Sequence, residues 1–223
     1  MIYINKYISY AIFDKRGFNM APRNKFTKEE MLDAAIRAVR KSGIGALTAQ
    51  ALAKELNIST QPVFTCFGTI GNLKSEAFIA AEKIFDSYIE EGLKEKIPFL
   101  GYGMKYFKFA KEEPQLYRML FLESNENCTL SGMKHAQDML RSTLMKIYNI
   151  NENEANRYFR DMWIVSHGLA TLLVTGSCPY SDEELQKIMT GFSLSILKSI
   201  KEIDGFMQND FDKDKVFHSL IEK

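Results

Sequence analysis

The feature that most constrains the fold is a run of helix caps and apolar residues between residues 27 and 67. Thr27 is followed three residues later by Glu30, the spacing of a capping box in which a hydroxyl and a carboxylate each bond a free backbone amide. Apolar residues then recur at helical spacing until Gly43 and Gly45, which favour the end of a helix. The pattern predicts a first α-helix from about residue 27 to residue 42.

Two shorter helices are predicted directly after the first. Thr48 is expected to cap the second, and the Asn57–Ile58 pair predicts a tight turn at its end. Ser59 is expected to cap the third. The third helix carries three apolar residues that are expected to face the core, namely Val63, Phe64 and Phe67. Three helices with a turn of about three residues between the last two predict a helix-turn-helix.

The remaining sequence also reads as helix, and strand-like alternation is scarce. A long helix is expected to begin after Gly71–Asn72 and to end before Pro98, with Pro114 as the first residue of a later helix. Ser181 and Glu184 form a second capping box. Further helices are predicted at about 99–112, 114–122, 130–149, 153–176, 182–203 and 214–221. The fold class predicted is all-α, with a three-helix head on a larger helical body.

The domain division predicted is an N-terminal extension at 1–19, a head at 20–74 and a body at 75–223. Met20 offers a second possible start, so the core fold is not expected to need residues 1–19. The extension is expected to be either a disordered tail or an ordered extra helix. The head carries eight basic and four acidic residues, whereas the body has a net charge of −5. A basic head on an acidic body favours binding of a polyanion by the head.

Composition excludes several other classes of protein. No run of about 18 apolar residues is present, so no contact with a membrane is expected. The 3 cysteines are far apart in the sequence and odd in number, which suits a reducing cytoplasm rather than a disulfide framework. The 3 histidines have no close cysteine partner, so neither a metal nor a cofactor is expected.

The third helix of a helix-turn-helix lies in the DNA major groove, where its exposed side chains meet base edges. Gln61 can pair with adenine through its amide, and threonine can offer a methyl to thymine. Hydroxyls at helix N-termini and lysines suit phosphate contacts. The candidate DNA contacts are Lys28, Thr48, Ser59, Thr60, Gln61, Pro62, Phe64, Thr65, Cys66 and Lys74, with Phe64 also a core candidate.

The N-terminal sequence resembles a known family in residue order and spacing over about 50 residues. The matching segments are Met31–Ala35, Gly43–Thr48, Ala51–Ser59, Phe64-x-x-Phe67 and Leu73. They are similar to the N-terminal domain of tetracycline-repressor (TetR/AcrR) type regulators. The resemblance implies a homodimer whose head binds double-stranded operator DNA and whose body binds a small effector that releases it. Cys66 and Ile70 depart from the family, which often has Tyr or His and Lys there as phosphate contacts.

One segment of the body also carries a resemblance. Trp163, His167 and Gly168 form a Trp-x-x-x-His-Gly pattern similar to the signature of one subgroup of this family. Trp163 and His167 share one helix face, where His167 is either a hydrogen-bonded core histidine or a pocket wall. An adaptable, apolar pocket for a flat, aromatic or apolar effector is predicted. Its candidate lining is Phe85, Tyr88, Phe107, Tyr117, Phe121, Met139, Met162, Trp163 and His167.

The last two long helices are expected to pair with those of a second copy in a four-helix interface. The candidate interface residues are Leu169, Leu172, Leu173, Leu185, Ile188, Met189, Phe192 and Ile196. The function predicted is therefore a ligand-responsive, non-enzymatic repressor on a palindromic operator. Two alternatives stay open: a helical regulator that has lost DNA binding and acts through protein contacts, and a helical enzyme with an unrecognised site.

Overall fold

The computed structural model describes residues 26–123 and 128–221, without the side chains of 128–133 and 135. Every regular element in these ranges is a helix, so the all-α prediction is confirmed. The predicted extension at 1–19 lies outside the described residues. The α-helices are α1 (Lys28–Ser42), α2 (Ala49–Leu56), α3 (Gln61–Phe67), α4 (Ile70–Leu93), α5 (Pro98–Glu112), α6 (Pro114–Tyr117), α7 (Cys128–Tyr148), α8 (Glu152–Val174), α9 (Asp182–Glu202) and α10 (Lys213–Ile221).

Local capping fixes the start of α1 and of α2, as predicted. The Thr27 hydroxyl accepts from the Glu30 amide at 3.1 Å, and the Glu30 carboxylate accepts from the Thr27 amide at 2.7 Å. Thr48 accepts from the amide of Ala51 at 3.0 Å. Asn57 ends α2 in the left-handed conformation, at φ 53°. These caps pair backbone donors that would otherwise be free at helix ends.

Helix α4 joins the head to the body. It begins at Ile70, because the hydroxyl of Thr69 accepts from the amide of Asn72 at 3.1 Å and caps the helix. The predicted start after Gly71–Asn72 was therefore slightly late. The predicted domain boundary between residues 74 and 75 falls inside this single helix.

In the body, α4 and α5 approach each other at two glycines. A Cβ atom placed on Gly101 would lie 2.1 Å from the carbonyl oxygen of Gly92, so neither residue has room for a side chain. Helix α5 also packs against α8, which in turn packs against α7 and α9. The body is thus built around α5 and α8, and its core is rich in buried aromatic rings.

The segment predicted as one helix at 114–122 has two parts. Pro114 occupies the first turn of α6, as predicted, and the backbone then changes to a π-helical turn at Arg118–Leu122. Capping boxes start the two long helices that follow α7, with Asn151 and Glu154 at the start of α8 and Ser181 and Glu184 at the start of α9. Within the described ranges, no helix is long and apolar enough to span a membrane.

Candidate DNA-binding surface and effector site

Helix α3 begins one residue later than predicted. Thr60 is the N-cap, its backbone is already helical, and its side chain makes no capping hydrogen bond. The prediction that Ser59 caps this helix was wrong. Gln61 and Pro62 form the first two helical positions, where the missing amide of proline leaves no helical bond unmade.

The two faces of α3 differ in exposure. Val63 and Phe67 are buried in the core of the head, whereas Gln61, Phe64 and Thr65 are exposed. Phe64 has 42% of its surface exposed, so the expectation that it lies in the core was wrong. Its place on the exposed face keeps it a candidate DNA contact.

Helix α3 is anchored at its C-terminal end. The amide side chain of Asn72 donates to the carbonyl oxygen of Phe67 at 3.0 Å, which ties the last turn of α3 to the first turn of α4. Gly68 links the two helices at φ 74°, in the left-handed region that favours glycine. The exposed face of α3 is therefore held in a fixed orientation by α4.

The candidate phosphate contacts either have partners within the chain or are half-buried. Lys28 forms a 2.7 Å ion pair with Glu76, which raises the pKa of the lysine, and its ammonium lies 5.9 Å from the Phe67 ring centroid. Thr48 caps α2, as described above. Lys74 is half-buried in a cleft of about 340 Å³. Cys66 is half-buried, and burial raises the pKa of its thiol.

A polar cluster lies inside the body, where three helices meet. The hydroxyls of Tyr106 on α5 and Tyr117 on α6 both lie 3.1 Å from Nδ1 of His167 on α8. The two hydroxyl oxygens are 3.4 Å apart. The hydroxyl of Thr171 donates to the backbone carbonyl of His167 at 2.8 Å. We call Tyr106, Tyr117 and His167 the polar cluster.

Burial sets the protonation of the polar cluster. It lowers the pKa of His167, because the imidazolium loses hydration. It raises the pKa of both tyrosines, which stay neutral. The cluster therefore presents uncharged donors and acceptors at neutral pH, which suits a neutral hydrogen-bonding partner.

Aromatic rings surround the polar cluster. Trp163 stacks on His167 with ring centroids 5.0 Å apart and an interplanar angle of 5°. Phe121 packs 5.0 Å from the ring of Tyr117, and Phe85 packs 5.2 Å from Phe121. The polar cluster is thus enclosed by aromatic side chains, and small-molecule sites combine the same two kinds of group.

The structure brings together five of the predicted effector contacts, namely Phe85, Tyr117, Phe121, Trp163 and His167. Met139 lies on the surface with 42% exposure, while Phe107 and Met162 are core residues. Tyr88 points its hydroxyl to Glu112 at 2.8 Å, and burial together with Glu112 raises the pKa of Tyr88 to about 12.

Tyr106, which contacts both other members of the polar cluster, was not among the residues predicted from the sequence. A signal was available, because Tyr102, Tyr106 and Phe109 recur at helical spacing on α5 and predict an aromatic stripe. Spacing alone does not say which ring of such a stripe meets a polar group of another helix.

The candidate interface residues fall into two groups. Leu185 and Met189 are buried within the single chain, so they lie away from any surface open to a second copy. The others keep exposed surface on α8 or α9, and they are Leu169, Leu172, Leu173, Ile188, Phe192 and Ile196. Ile164, not predicted, is 57% exposed on the same helix as Leu172.

The head and the body are joined by a bidentate ion pair. The guanidinium of Arg40 on α1 donates to both carboxylate oxygens of Glu113, at 2.8 and 2.6 Å. Glu113 immediately precedes α6, which carries Tyr117 of the polar cluster. The ion pair therefore connects the segment that carries Tyr117 of the polar cluster to α1, the first helix of the head.

Metal-binding residues do not gather in the part of the chain that the structure describes. No group of three or more His, Cys, Asp or Glu side chains there could hold an ion.

Comparison with known proteins gives consistent matches. Residues 99–190 match a family described as "Tetracyclin repressor-like, C-terminal domain". The chain is 20% identical over 172 residues to the uncharacterized HTH-type transcriptional regulator YobS of Bacillus subtilis (strain 168), covering 76% of this chain and 90% of that protein.

Two solved structures share the fold. A TetR-like transcriptional regulator from Rhodococcus sp. RHA1 aligns with a TM-score of 0.59 at 11% identity, covering 78% of this chain and 96% of that one. A structure from Pseudomonas aeruginosa PAO1 aligns with a TM-score of 0.59 at 10% identity, covering 81% and 92%.

Proposed function

Because the chain is a transcriptional regulator of the tetracycline-repressor family, we propose that it is a cytoplasmic repressor that binds a palindromic operator as a homodimer and is released by a small effector. The observation that carries this proposal is the exposed face of α3, which is anchored by its opposite face in the core of the head. Membership of the Trp-x-x-x-His-Gly subgroup is a further proposal, which rests on Trp163, His167 and Gly168.

The DNA contacts proposed for the head are of two kinds. Gln61, Phe64 and Thr65 meet base edges, since they are the exposed side chains of α3. The first turn of α2, capped by Thr48, and the exposed hydroxyl of Ser59 meet phosphates. Thr60, Pro62, Cys66, Lys28 and Lys74 remain secondary candidates, because they are half-buried or ion-paired.

The effector proposed is a flat, mostly apolar or aromatic molecule with one neutral hydrogen-bonding group. The stacked pair of Trp163 and His167 supports a flat ligand. The hydroxyls of Tyr106 and Tyr117 support a neutral polar group on it, because they share the single Nδ1 atom of His167 and one can be released to a ligand.

The homodimer is proposed to form through the exposed faces of α8 and α9. Ile164, Gly168 and Leu172 are exposed and lie four residues apart on α8, so they form one stripe. A side chain at Gly168 would meet no atom within 4 Å, which leaves room for a helix of the second copy. Phe192, 48% exposed, continues the apolar surface on α9.

The proposal is tested by fluorescence anisotropy with the purified chain and duplexes from the region upstream of its own gene. Sedimentation of the same samples reports the oligomeric state. We expect a dimer that binds one duplex tightly and is released by an apolar aromatic compound, which also raises the melting temperature.

A matched pair of variants tests the interface. Leu172→Glu places a charge in the proposed stripe and is expected to give a monomer with weak DNA binding. Ile79→Glu is the control, because Ile79 is 51% exposed on α4 outside that stripe. A dimer that survives Leu172→Glu would contradict the interface proposed here.

A second candidate function is regulation through protein contacts without DNA binding. The observation that favours it is the absence of basic side chains from α3, since charged contacts to phosphate supply much of the affinity for DNA. Equally weak binding to every duplex, measured by anisotropy with a chain that sediments as a folded dimer, would favour this alternative.

A further inference from the structure

The exposed face of α3 is uncharged along its whole length. The helix reads Gln-Pro-Val-Phe-Thr-Cys-Phe, and its exposed residues are Gln61, Phe64 and Thr65. Side chains three and four positions apart lie on one helix face, so these three form a single surface. Its chemistry is one amide, one aromatic ring and one threonine.

Each of these side chains offers a limited set of contacts. The Gln61 amide provides one donor and one acceptor in a plane, which matches N7 and N6 of adenine. The Thr65 hydroxyl donates to the backbone carbonyl of Gln61 at 2.9 Å, so its proton is already engaged. The Phe64 ring has no hydrogen-bonding group and offers only apolar contact.

A strong guanine reader is missing from the same surface. The usual contact to guanine is a bidentate pair from Arg or Lys to O6 and N7. Neither residue type occurs in α3 or in Ser59 and Thr60 before it. Lys28, whose ammonium lies 5.9 Å from the buried ring of Phe67, is held by Glu76.

We propose that α3 reads an A·T pair-rich half-site, in which Phe64 contacts the 5-methyl group of thymine and Gln61 pairs with adenine. The thymine methyl is the apolar group that the major groove presents on an unmodified base. Phe64, exposed at the centre of the helix, is therefore the specificity-determining residue for thymine. This inference rests on operator binding as proposed above.

The test begins with selection of bound sites from a randomised duplex library by the purified full-length chain. Each thymine of the selected site is then replaced by uracil, which removes only the methyl group. We expect about four-fold weaker binding for each contacted methyl and about fifteen-fold for both half-sites together. This exchange changes the DNA alone, so its result does not depend on how a variant folds.

Variants assign the effect to residues. Phe64→Ala is expected to bind thymine and uracil duplexes equally, and Gln61→Ala to lose its preference for adenine by about five-fold or more. Phe217→Ala is the matched control, because Phe217 is a 63% exposed phenylalanine on α10. It is expected to keep the full difference between thymine and uracil.

Two results would overturn the inference in different ways. A selected site whose central positions require G·C pairs, bound equally with thymine or uracil, would overturn the base readout and leave operator binding intact. A library from which no sequence is enriched would overturn operator binding itself, and the readout with it.

Discussion

The head and the body place their polar side chains in opposite environments. The candidate reading surface of the head lies on one helix of 7 residues, and its side chains face outward. The polar cluster of the body is buried and takes one residue from each of three helices, with His167 61 residues from Tyr106 and 50 from Tyr117. A surface of the first kind can change by single substitutions at little cost to folding, whereas a buried cluster is tied to the packing around it.

Two glycines, one in each region, show a second difference. Gly45 lies in the short 3₁₀ turn between α1 and α2, where a side chain would meet no atom within 4 Å, while in the body Gly101 is in backbone contact with Gly92. The contact between α4 and α5 therefore tolerates less change in volume than the turn at Gly45 does. Three measurements test these differences between the head and the body.

The largest effect is expected for Gly101→Ala. The added methyl would overlap the carbonyl oxygen of Gly92, so α4 and α5 must separate, at a cost of about 1–3 kcal/mol in the free energy of unfolding. Urea denaturation measures this change. Gly45→Ala is the control and should change stability by less than about 0.5 kcal/mol. Equal midpoints for the two variants would contradict the close approach of the helices.

A smaller effect is expected at the ion pair between the regions. Arg40→Gln and Glu113→Gln each remove the bidentate pair, and since Arg40 is 43% exposed the loss should be about 0.5–1 kcal/mol. A double-mutant cycle should show that the two losses are not additive, and that the coupling falls with salt. Strict additivity would mean that this contact does not join head and body.

The smallest effect is expected from titration of His167. Burial lowers its pKa below the ordinary value of 6.5, so the unfolded chain binds this proton more tightly than the folded chain. As far as His167 is concerned, the free energy of unfolding is highest above about pH 6.5. It decreases as the pH falls from there through the lowered folded-state pKa of His167.

Urea denaturation between pH 5 and 8 checks the sign of this dependence. His167→Gln should flatten the decline on the acid side, whereas His218→Gln, which changes an exposed histidine of α10, should leave it in place. A wild-type free energy of unfolding that rises as the pH falls below 6.5 would contradict burial as the dominant cause.

The predicted caps of α1, α2 and α9 are confirmed. Thr27, Thr48 and Ser181 all cap the helices expected of them, because hydroxyl and amide are neighbours along the chain. The predicted cap at Ser59 was wrong, because the next residue, Thr60, is the N-cap and its backbone is already helical. No local rule chose between these two adjacent hydroxyl residues.

Burial was predicted less well than helix position. Phe64 was assigned to the core on hydrophobicity, yet it lies on the same helix face as Gln61 and Thr65, and the contacts of α3 with α2 and α4 determine which face is covered. Met139 was assigned to the pocket in the same way, and it lies on the surface.

The all-helical class, the helix-turn-helix and the resemblance to the tetracycline-repressor family follow from the sequence alone, because they depend on local caps, periodicity and residue spacing. The contacts of Tyr106 with Tyr117 and His167, and of Arg40 with Glu113, are visible only in the tertiary structure. Such contacts arise where helices distant in sequence cross, and their geometry depends on the packing of the whole core rather than on any one segment.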